Sequence, residues 1–155
     1  SEEFALTMSN AFTRDSDGSQ TAFLRRYTVS GGEPIRPFLP TPHGRFAPSL
    51  RYTPDGKTIY CSQDRGVTEY SLPAGREVRR LIHPDPNLGY GSIDLTSDGR
   101  YLAIGGNGHL AVYDRAREEW AHKTSYTKHG RSGCGFLPGT HTLLDFTHGK
   151  LLAWD

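Results

Sequence analysis

Seven histidines, two cysteines and a pair of close aspartates are the residues of this chain whose types could do chemistry. His141 and His148 stand seven apart with Cys134 nearby. Zinc is usually clipped by ligand pairs about two to five residues apart, so this spacing across a hairpin predicts no metal site. Asp15 and Asp17 offer oxygens of the kind calcium takes, but an Asp-rich β-turn accounts for them. The stretch "GGNGHLAV" at 105–112 is glycine-rich, yet it lacks the spacing and the following helix of a dinucleotide loop, and a hairpin turn explains it. No GxSxG elbow, GxxxxGK loop, HExxH helix or paired-Cys motif occurs. The tripeptide "HGR" appears at 43–45 and again at 129–131, 86 residues on. A general base is one group placed against one proton. A histidine that recurs at a fixed interval, as His43 and His129 do, is a loop anchor whose ring nitrogens satisfy buried polar groups. The expectation is therefore a chain that is not an enzyme, with no catalytic residue, no metal and no cofactor.

That interval belongs to a repeat. Aromatic residues close apolar runs in "LRRYTV", "VTEYSL", "LAVYDR" and "LLAWD", at Tyr27, Tyr70, Tyr113 and Trp154, in steps of 43, 43 and 41. A second marker keeps the same rhythm: "TPDGKTIY" at 53–60 and "TSDGRYLA" at 96–103 are 43 apart, and "LPGTHTLL" at 137–144 is a weaker third copy. A period of about 40–45 residues is that of a four-stranded propeller blade. Asp-Gly and Gly-X turns between short β-rich runs divide each unit into strands. The second unit reads "SLRYT", a turn at Pro54-Asp55-Gly56, "TIYCS", a turn at Asp64-Arg65-Gly66, "VTEYSL" and "REVRRLI"; the third reads "SIDLT", "YLAIG", "HLAVYD" and "EWAHKTSY". By propensity "DRAREEWAHK" suits a helix, but its place in the repeat makes it a turn and an outer strand. The expected fold is all-β, propeller blades of four-stranded antiparallel sheets, with a partial blade at 1–40, blades at 41–86 and 87–127, and a partial blade at 128–155. The first unit holds strands b, c and d, and the last a, b and c. Both end units already own b and c, so they cannot merge into one blade. The chain is expected to be about half of a larger ring, whose remaining blades come from missing sequence, another chain or a second copy, and a strand from outside should finish the last sheet.

These residues resemble the WD-repeat β-propellers and, more loosely, bacterial seven-bladed propellers rich in "PDGK" turns. The likeness rests on Tyr113-Asp114 and Trp154-Asp155 closing strand c, on the Asp-Gly turns, and on His43-Gly44 and His129-Gly130 in the entry loops. The resemblance implies a structural tetrad of His, Asp, Ser or Thr, and Trp. Six residues before each aromatic stand Thr21, Asp64, Asn107 and His148. Only the second blade approaches the tetrad, with His43, Ser62, Asp64 and a Tyr, Tyr70, in place of Trp. The resemblance also implies a non-catalytic protein–protein interaction scaffold that docks a protein or peptide on the face bearing the d-to-a and b-to-c loops. Arg45, Arg65, Tyr90 and Arg131 are expected on that face, with His83, Asp85, Asn87 and Asn107 around them. Arg and Tyr combine contact area with directed hydrogen bonds, and three arginines suit an acidic or phosphorylated segment. The loop "HPDPNLGYG" at 83–91 is longer than its counterparts and is the first expected contact. The alternative is a propeller enzyme or a small-molecule or metal-binding ring, such as a lactonase-like protein. It requires inward-facing ligands at one height in several blades, which Thr21, Asp64, Asn107 and His148 do not supply.

Composition sets the remaining bounds. The net charge is +1, charged residues make up 23% and no long block of one sign occurs, so neither nucleic acid nor an acidic membrane surface is an expected partner. No apolar run approaches the roughly 20 residues of a membrane-spanning helix. Cys61 and Cys134 are too few for a disulfide framework and lie in strand-like sequence; two reduced, buried thiols, a reducing compartment and a cytoplasmic location are expected.

Overall fold

The computed structural model describes residues 4–14, 20–28, 31–32, 34–41, 49–63, 66–72, 74–82, 91–106, 109–125, 133–147 and 149–155. Among them are fourteen strands and no helix, arranged as four antiparallel meanders. The first sheet holds β1 (Phe4–Arg14), β2 (Gln20–Thr28) and β3 (Pro34–Thr41). The second holds β4 (Leu50–Tyr52), β5 (Thr58–Gln63), β6 (Gly66–Ser71) and β7 (Arg76–Ile82), and the third β8 (Ser92–Leu95), β9 (Tyr101–Gly106), β10 (His109–Asp114) and β11 (Glu119–Ser125). The fourth holds β12 (Gly133–Phe136), β13 (Leu143–Thr147) and β14 (Lys150–Trp154). Two full and two partial blades are thus present, as the repeat predicts.

The turn chemistry that marks the repeat also builds it. In the second blade Thr53 Oγ1 donates to Asp55 Oδ1 at 2.6 Å, while the amides of Lys57 and Thr58 donate to Asp55 Oδ1 and Thr53 Oγ1. The third blade repeats the box with Thr96, Asp98, Arg100 and Tyr101. Gly56 and Gly99 take the left-handed backbone, φ 67° and 73°, that ends each turn, a conformation only glycine adopts at no steric cost. The third copy departs for a definable reason. Leu137 still donates to the Thr142 carbonyl and Thr140 to the Leu137 carbonyl, but the left-handed residue is Gly139, one place earlier, after Pro138. Pro then Gly at the two central positions is a type II turn, so the backbone closure survives while the Thr–Asp box is lost.

Side-chain alternation assigns each sheet face. Tyr60, Val67 and Leu81 of the second blade pack on Ile93, Leu102, Ile104 and Tyr113 of the third. On the third blade's other face, Ala103, Leu110 and Val112 meet Leu143, Phe136 and Trp154 of the fourth. Ile59, Cys61 and Tyr70 form a third cluster on the second blade's opposite face. Burying a large apolar side chain contributes roughly 1.5–3 kcal/mol, so stacking between blades outweighs the turn bonds. The segment with helical propensity is a turn followed by β11, because Trp120 must face Tyr113, which it meets edge-on at 5.3 Å. A register shift interrupts β6–β7 between Glu69 and Tyr70 and β10–β11 between Val112 and Tyr113, at the same repeat position. β2–β3 shifts between Leu24 and Arg26, close to Tyr27.

Candidate functional site

The first strands of successive blades run beside one another, β4 by β8 and β8 by β12, and side chains sew them together. Ser49 Oγ accepts the Ile93 amide at 3.3 Å, and Ser92 Oγ accepts the Cys134 amide at 2.9 Å. Ser49 and Ser92 are 43 residues apart, Ile93 and Cys134 41, the spacings of the aromatic marker. An edge strand leaves every second amide unpaired, and here those of Ile93 and Cys134 are taken by the preceding blade. Asp94 extends the seam: Oδ2 accepts the Phe136 amide at 2.7 Å, and Oδ1 meets Arg51 Nε at 2.6 Å. Both carboxylate oxygens are therefore committed. Among the described residues no group of three or more His, Cys, Asp or Glu side chains is placed to hold a metal ion. Burial pushes the Cys134 thiol up to about 11, which suits a packed thiol and not a nucleophile.

A second set of bonds joins the blades at the ends bearing the a-to-b and c-to-d turns. Arg115 Nε donates to the Tyr60 hydroxyl and its Nη1 to the Gly99 carbonyl, with the guanidinium 5.3 Å from the Tyr60 ring centre. Arg79 of β7 meets Glu69 at 2.7 Å in its own blade and Glu118 at 2.6 Å in the next, and lies 5.6 Å from the Tyr113 ring. Glu118 holds this place with φ 55°, where Gly75 stands one repeat earlier with φ 68°. Asp114 accepts the amides of Ala116 and Arg117, capping the c-to-d turn, and pairs with Arg100 at 3.1 Å. Against the cost of its burial, Arg100 and those amides hold its carboxyl below the usual range. His141 Nε2 lies 2.9 Å from Asp98 Oδ2 and edge-on to Tyr101. The Thr96 hydroxyl, the Arg100 amide and His141, in that order, hold the Asp98 carboxyl far below its ordinary value.

Between the third and fourth blades lies a pocket of about 440 Å³. Leu110, Val112, Phe136 and Leu143 form its apolar part, and Tyr101, His122, His141 and Asp155 its polar part. The His122 ring stands 5.6 Å from the Trp154 ring, tilted by 45°. The indole N–H of Trp154 is buried and finds no acceptor among the described residues.

The eight side chains expected to bind a partner, Arg45, Arg65, His83, Asp85, Asn87, Tyr90, Asn107 and Arg131, all lie outside the described residues, as do His43, Asp64, His129, His148, Asp15 and Asp17. Thr21 falls in β2. Of the tetrad-like set Ser62 and Tyr70 remain, and the register separates them. Tyr70 stands opposite Ile59 on one face, while Ser62 stands opposite Val67 on the other. The Ser62 hydroxyl instead accepts the Ser49 amide at 2.7 Å. Sequence reasoning missed the serine seam and Arg115. Ser49 and Ser92 keep the 43-residue spacing and were detectable by it; Arg115, directly after the Tyr113-Asp114 pair, had no counterpart in the second unit. Cys61 is buried, Cys134 partly so, and neither forms a disulfide. No helix among the described residues is long and apolar enough to cross a membrane.

No family model and no curated protein matches this chain. Solved structures do. U3-55K is 21% identical with a TM-score of 0.60, over 72% of this chain and 37% of that one. The WD40 repeats of RRP9 are 22% identical, also at 0.60, over 72% and 36%. Hydrazine synthase of Kuenenia stuttgartiensis is 15% identical at 0.71, over 97% and 55%. The chain thus spans about a third to just over half the length of these structures. Its fold is that of WD40-type β-propeller blades.

Proposed function

We propose that this chain is part of a non-catalytic interaction scaffold. It binds a protein or peptide through the loops at the blade ends opposite the Thr–Asp turns, with Arg45, Arg65, His83, Asp85, Asn87, Tyr90, Asn107 and Arg131 as the contact residues. The observation that supports this reading best is the stacked-blade fold shared with WD40 repeats. In the described blades its polar side chains are largely committed to seams and turns, as Asp94, Asp114 and Arg79 are. Such a frame holds loops rigidly and leaves their tips to recognise a partner. The three loop arginines favour an acidic or phosphorylated segment. The remaining blades come from missing sequence, another chain or a second copy, neither nucleic acid nor a membrane is a partner, and the setting is the reducing cytoplasm. The test is binding of acidic and phosphorylated peptides to the chain and to an Arg45→Ala, Arg65→Ala, Arg131→Ala variant. A loss of at least about tenfold is expected for interface anchors of this type. Unchanged binding would reject this face.

A second reading draws on the likeness to hydrazine synthase, which extends over 97% of this chain: the blades would then belong to a propeller enzyme whose reactive groups lie elsewhere. A stoichiometric divalent metal in the purified protein, held by loop side chains outside the described residues, would favour an enzyme over the scaffold.

A further inference from the structure

The second sheet runs β4-β5-β6-β7, so one edge of β7 carries backbone groups that no described strand pairs. Its two faces have different fates. Arg79 and Leu81 point to the third blade, where Arg79 meets Glu118 and Leu81 joins the cluster of Ile93, Leu102 and Ile104. By the two-residue alternation of a strand, Arg80 and Ile82 point the other way. That other face is closed at the inner strands, where Ile59, Cys61 and Tyr70 are buried, and open at β7. Ile82 is 65% exposed and Val78, the extra residue of the β6–β7 bulge, 55%. Ile82 stands opposite Gly66, where a Cβ would collide with the Leu81 carbonyl, so no cross-strand side chain can shield it. Arg76 and Arg80 are exposed and enter no ion pair among the described residues. The repeat does not require this pattern. In β11, 43 residues on, Ala121 stands for Val78, Lys123 for Arg80 and Ser125 for Ile82. Sheet edges are ordinarily guarded by charge rather than lined with exposed apolar side chains; β7 breaks that rule at the two places where β11 keeps it.

We propose that the free edge of β7 docks an extended segment of another protein, one that turns an apolar, an acidic and an apolar side chain in succession to Val78, Arg80 and Ile82. The backbone of that segment satisfies the unpaired edge, as in β-strand addition. Residues directly opposite across a strand pair share a face and touch. β-Branched side chains beside Val78 and Ile82 therefore take both out of water, and a carboxylate opposite Arg80 meets its guanidinium. Charge chooses the occupant. With Arg79 committed to Glu69 and Glu118, the exposed charges of β7 are Arg76, Glu77 and Arg80, and the one set between the two apolar side chains is positive. A second copy of this chain is disfavoured, because antiparallel pairing of two β7 strands that sets Val78 against Ile82 also sets Arg80 against Arg80, and like charges directly opposite repel. The site is a strand edge and not the loop face, so it goes beyond the proposed function and does not rest on it.

The probe is an unlabelled synthetic heptapeptide with threonine at its odd positions, valine at the second and sixth and glutamate at the fourth. It is titrated into the isotope-labelled 155-residue chain, with the methyl signals of Val78 and Ile82 observed beside that of Ala121 as the internal comparison. The expected result is a saturable shift at Val78 and Ile82, slower exchange of the β7 amides that point away from β6, and no change at Ala121. Val78→Ala combined with Ile82→Ser, which copies the pattern of β11, should weaken binding at least about tenfold through lost apolar contact. Both positions are exposed, and unshifted methyl signals of the buried Ile93 and Ile104 check that the blades stay folded. Replacing the peptide's glutamate by lysine should weaken binding about fivefold, and Arg80→Glu should reverse that preference. Unmoved Val78 and Ile82 signals at the highest peptide concentration, an equal shift at Ala121, or binding indifferent to the double variant or to the peptide's charge would overturn the proposal. So would self-association of the chain through β7 in place of peptide binding, which would assign the edge to a second copy. The Arg45→Ala, Arg65→Ala, Arg131→Ala variant should bind this peptide as the parent does, so failure of the loop reading and failure of this one are told apart.

Discussion

Tyr60→Phe removes one oxygen from a fully buried ring and with it the bond that ties the second blade to the third through Arg115. The guanidinium keeps its place 5.3 Å from the ring and its bond to the Gly99 carbonyl, so only the charge-assisted hydrogen bond is lost. Such bonds contribute about 1.5–3 kcal/mol, and a partly solvated arginine recovers some of that from water, leaving about 1.5 kcal/mol. Arg115→Met keeps the stem but loses the Tyr60 bond, the Gly99 bond and the cation–π contact, the last worth about 0.5–1 kcal/mol; about 3 kcal/mol is expected. In the double variant the shared bond can be lost only once, so the coupling energy should be about 1–1.5 kcal/mol. Urea unfolding of the four proteins, with the slope checked for constancy, measures it. Additivity within about 0.3–0.5 kcal/mol, the behaviour of independent sites, would refute the claim that this pair joins the blades. The same cycle has a pH signature. Burial, chiefly, pushes the Tyr60 hydroxyl above its ordinary value, so the folded state favours the neutral phenol. That stability is present below the unfolded tyrosine value of about 10 and is lost as pH rises through the higher folded value. Tyr60→Phe should be spared this alkaline loss.

Two further outcomes follow from the turns and strand contacts. A Cβ at Gly91 would sit 1.7 Å from the Gly105 carbonyl oxygen, so Gly91→Ala should prise β8 from β9 and cost about 3 kcal/mol, the upper range for overpacking; a melting temperature equal to the parent's would contradict it. The Asp55 and Asp98 carboxyls are lowered first by the hydroxyls of Thr53 and Thr96. The stability they contribute is present above the unfolded value of 3.8 and is lost as pH falls through the folded values. A melting curve that declines below about pH 4, and declines less in Asp98→Asn, is expected; identical acid profiles for the two proteins would contradict the turn assignment.

The blades were legible because their markers are local. An Asp-Gly turn and an aromatic strand end are written in adjacent residues, and the 43-residue interval survives where single positions drift, as at Pro138-Gly139. The interval also overruled the helical propensity around Trp120, since only a strand brings that ring to Tyr113. The tetrad-like grouping was not legible in the same way. Counting back six from Tyr70 gives Asp64, outside the described residues; Ser62 joined the set through the resemblance alone, and the two-residue alternation of strand faces puts Ser62 and Tyr70 on opposite sides of the sheet. The seam made by Ser49 and Ser92 escaped because their place at the start of strand a does not say what the hydroxyl bonds to until the neighbouring blade is in place. The same holds for Trp154: its spacing was plain, but its packing against Ala103 and Leu110 of the third blade and its buried N–H, without an acceptor among the described residues, appear only in the folded blades.

Native-state amide exchange at Ile93 and Cys134 tests the stacked-blade account most directly. Each amide points away from its own sheet to a serine of the preceding blade, Ser49 or Ser92, so only correct stacking protects it. Both should exchange slowly in the folded chain. Ser92→Ala should release Cys134 while leaving Ile93 protected, at a cost in stability of about 1–3 kcal/mol for the orphaned donor. Exchange of both amides at the rate of an unstructured peptide, in a chain whose β5 and β9 amides stay protected, would show sheets that form but do not stack, and would contradict the account.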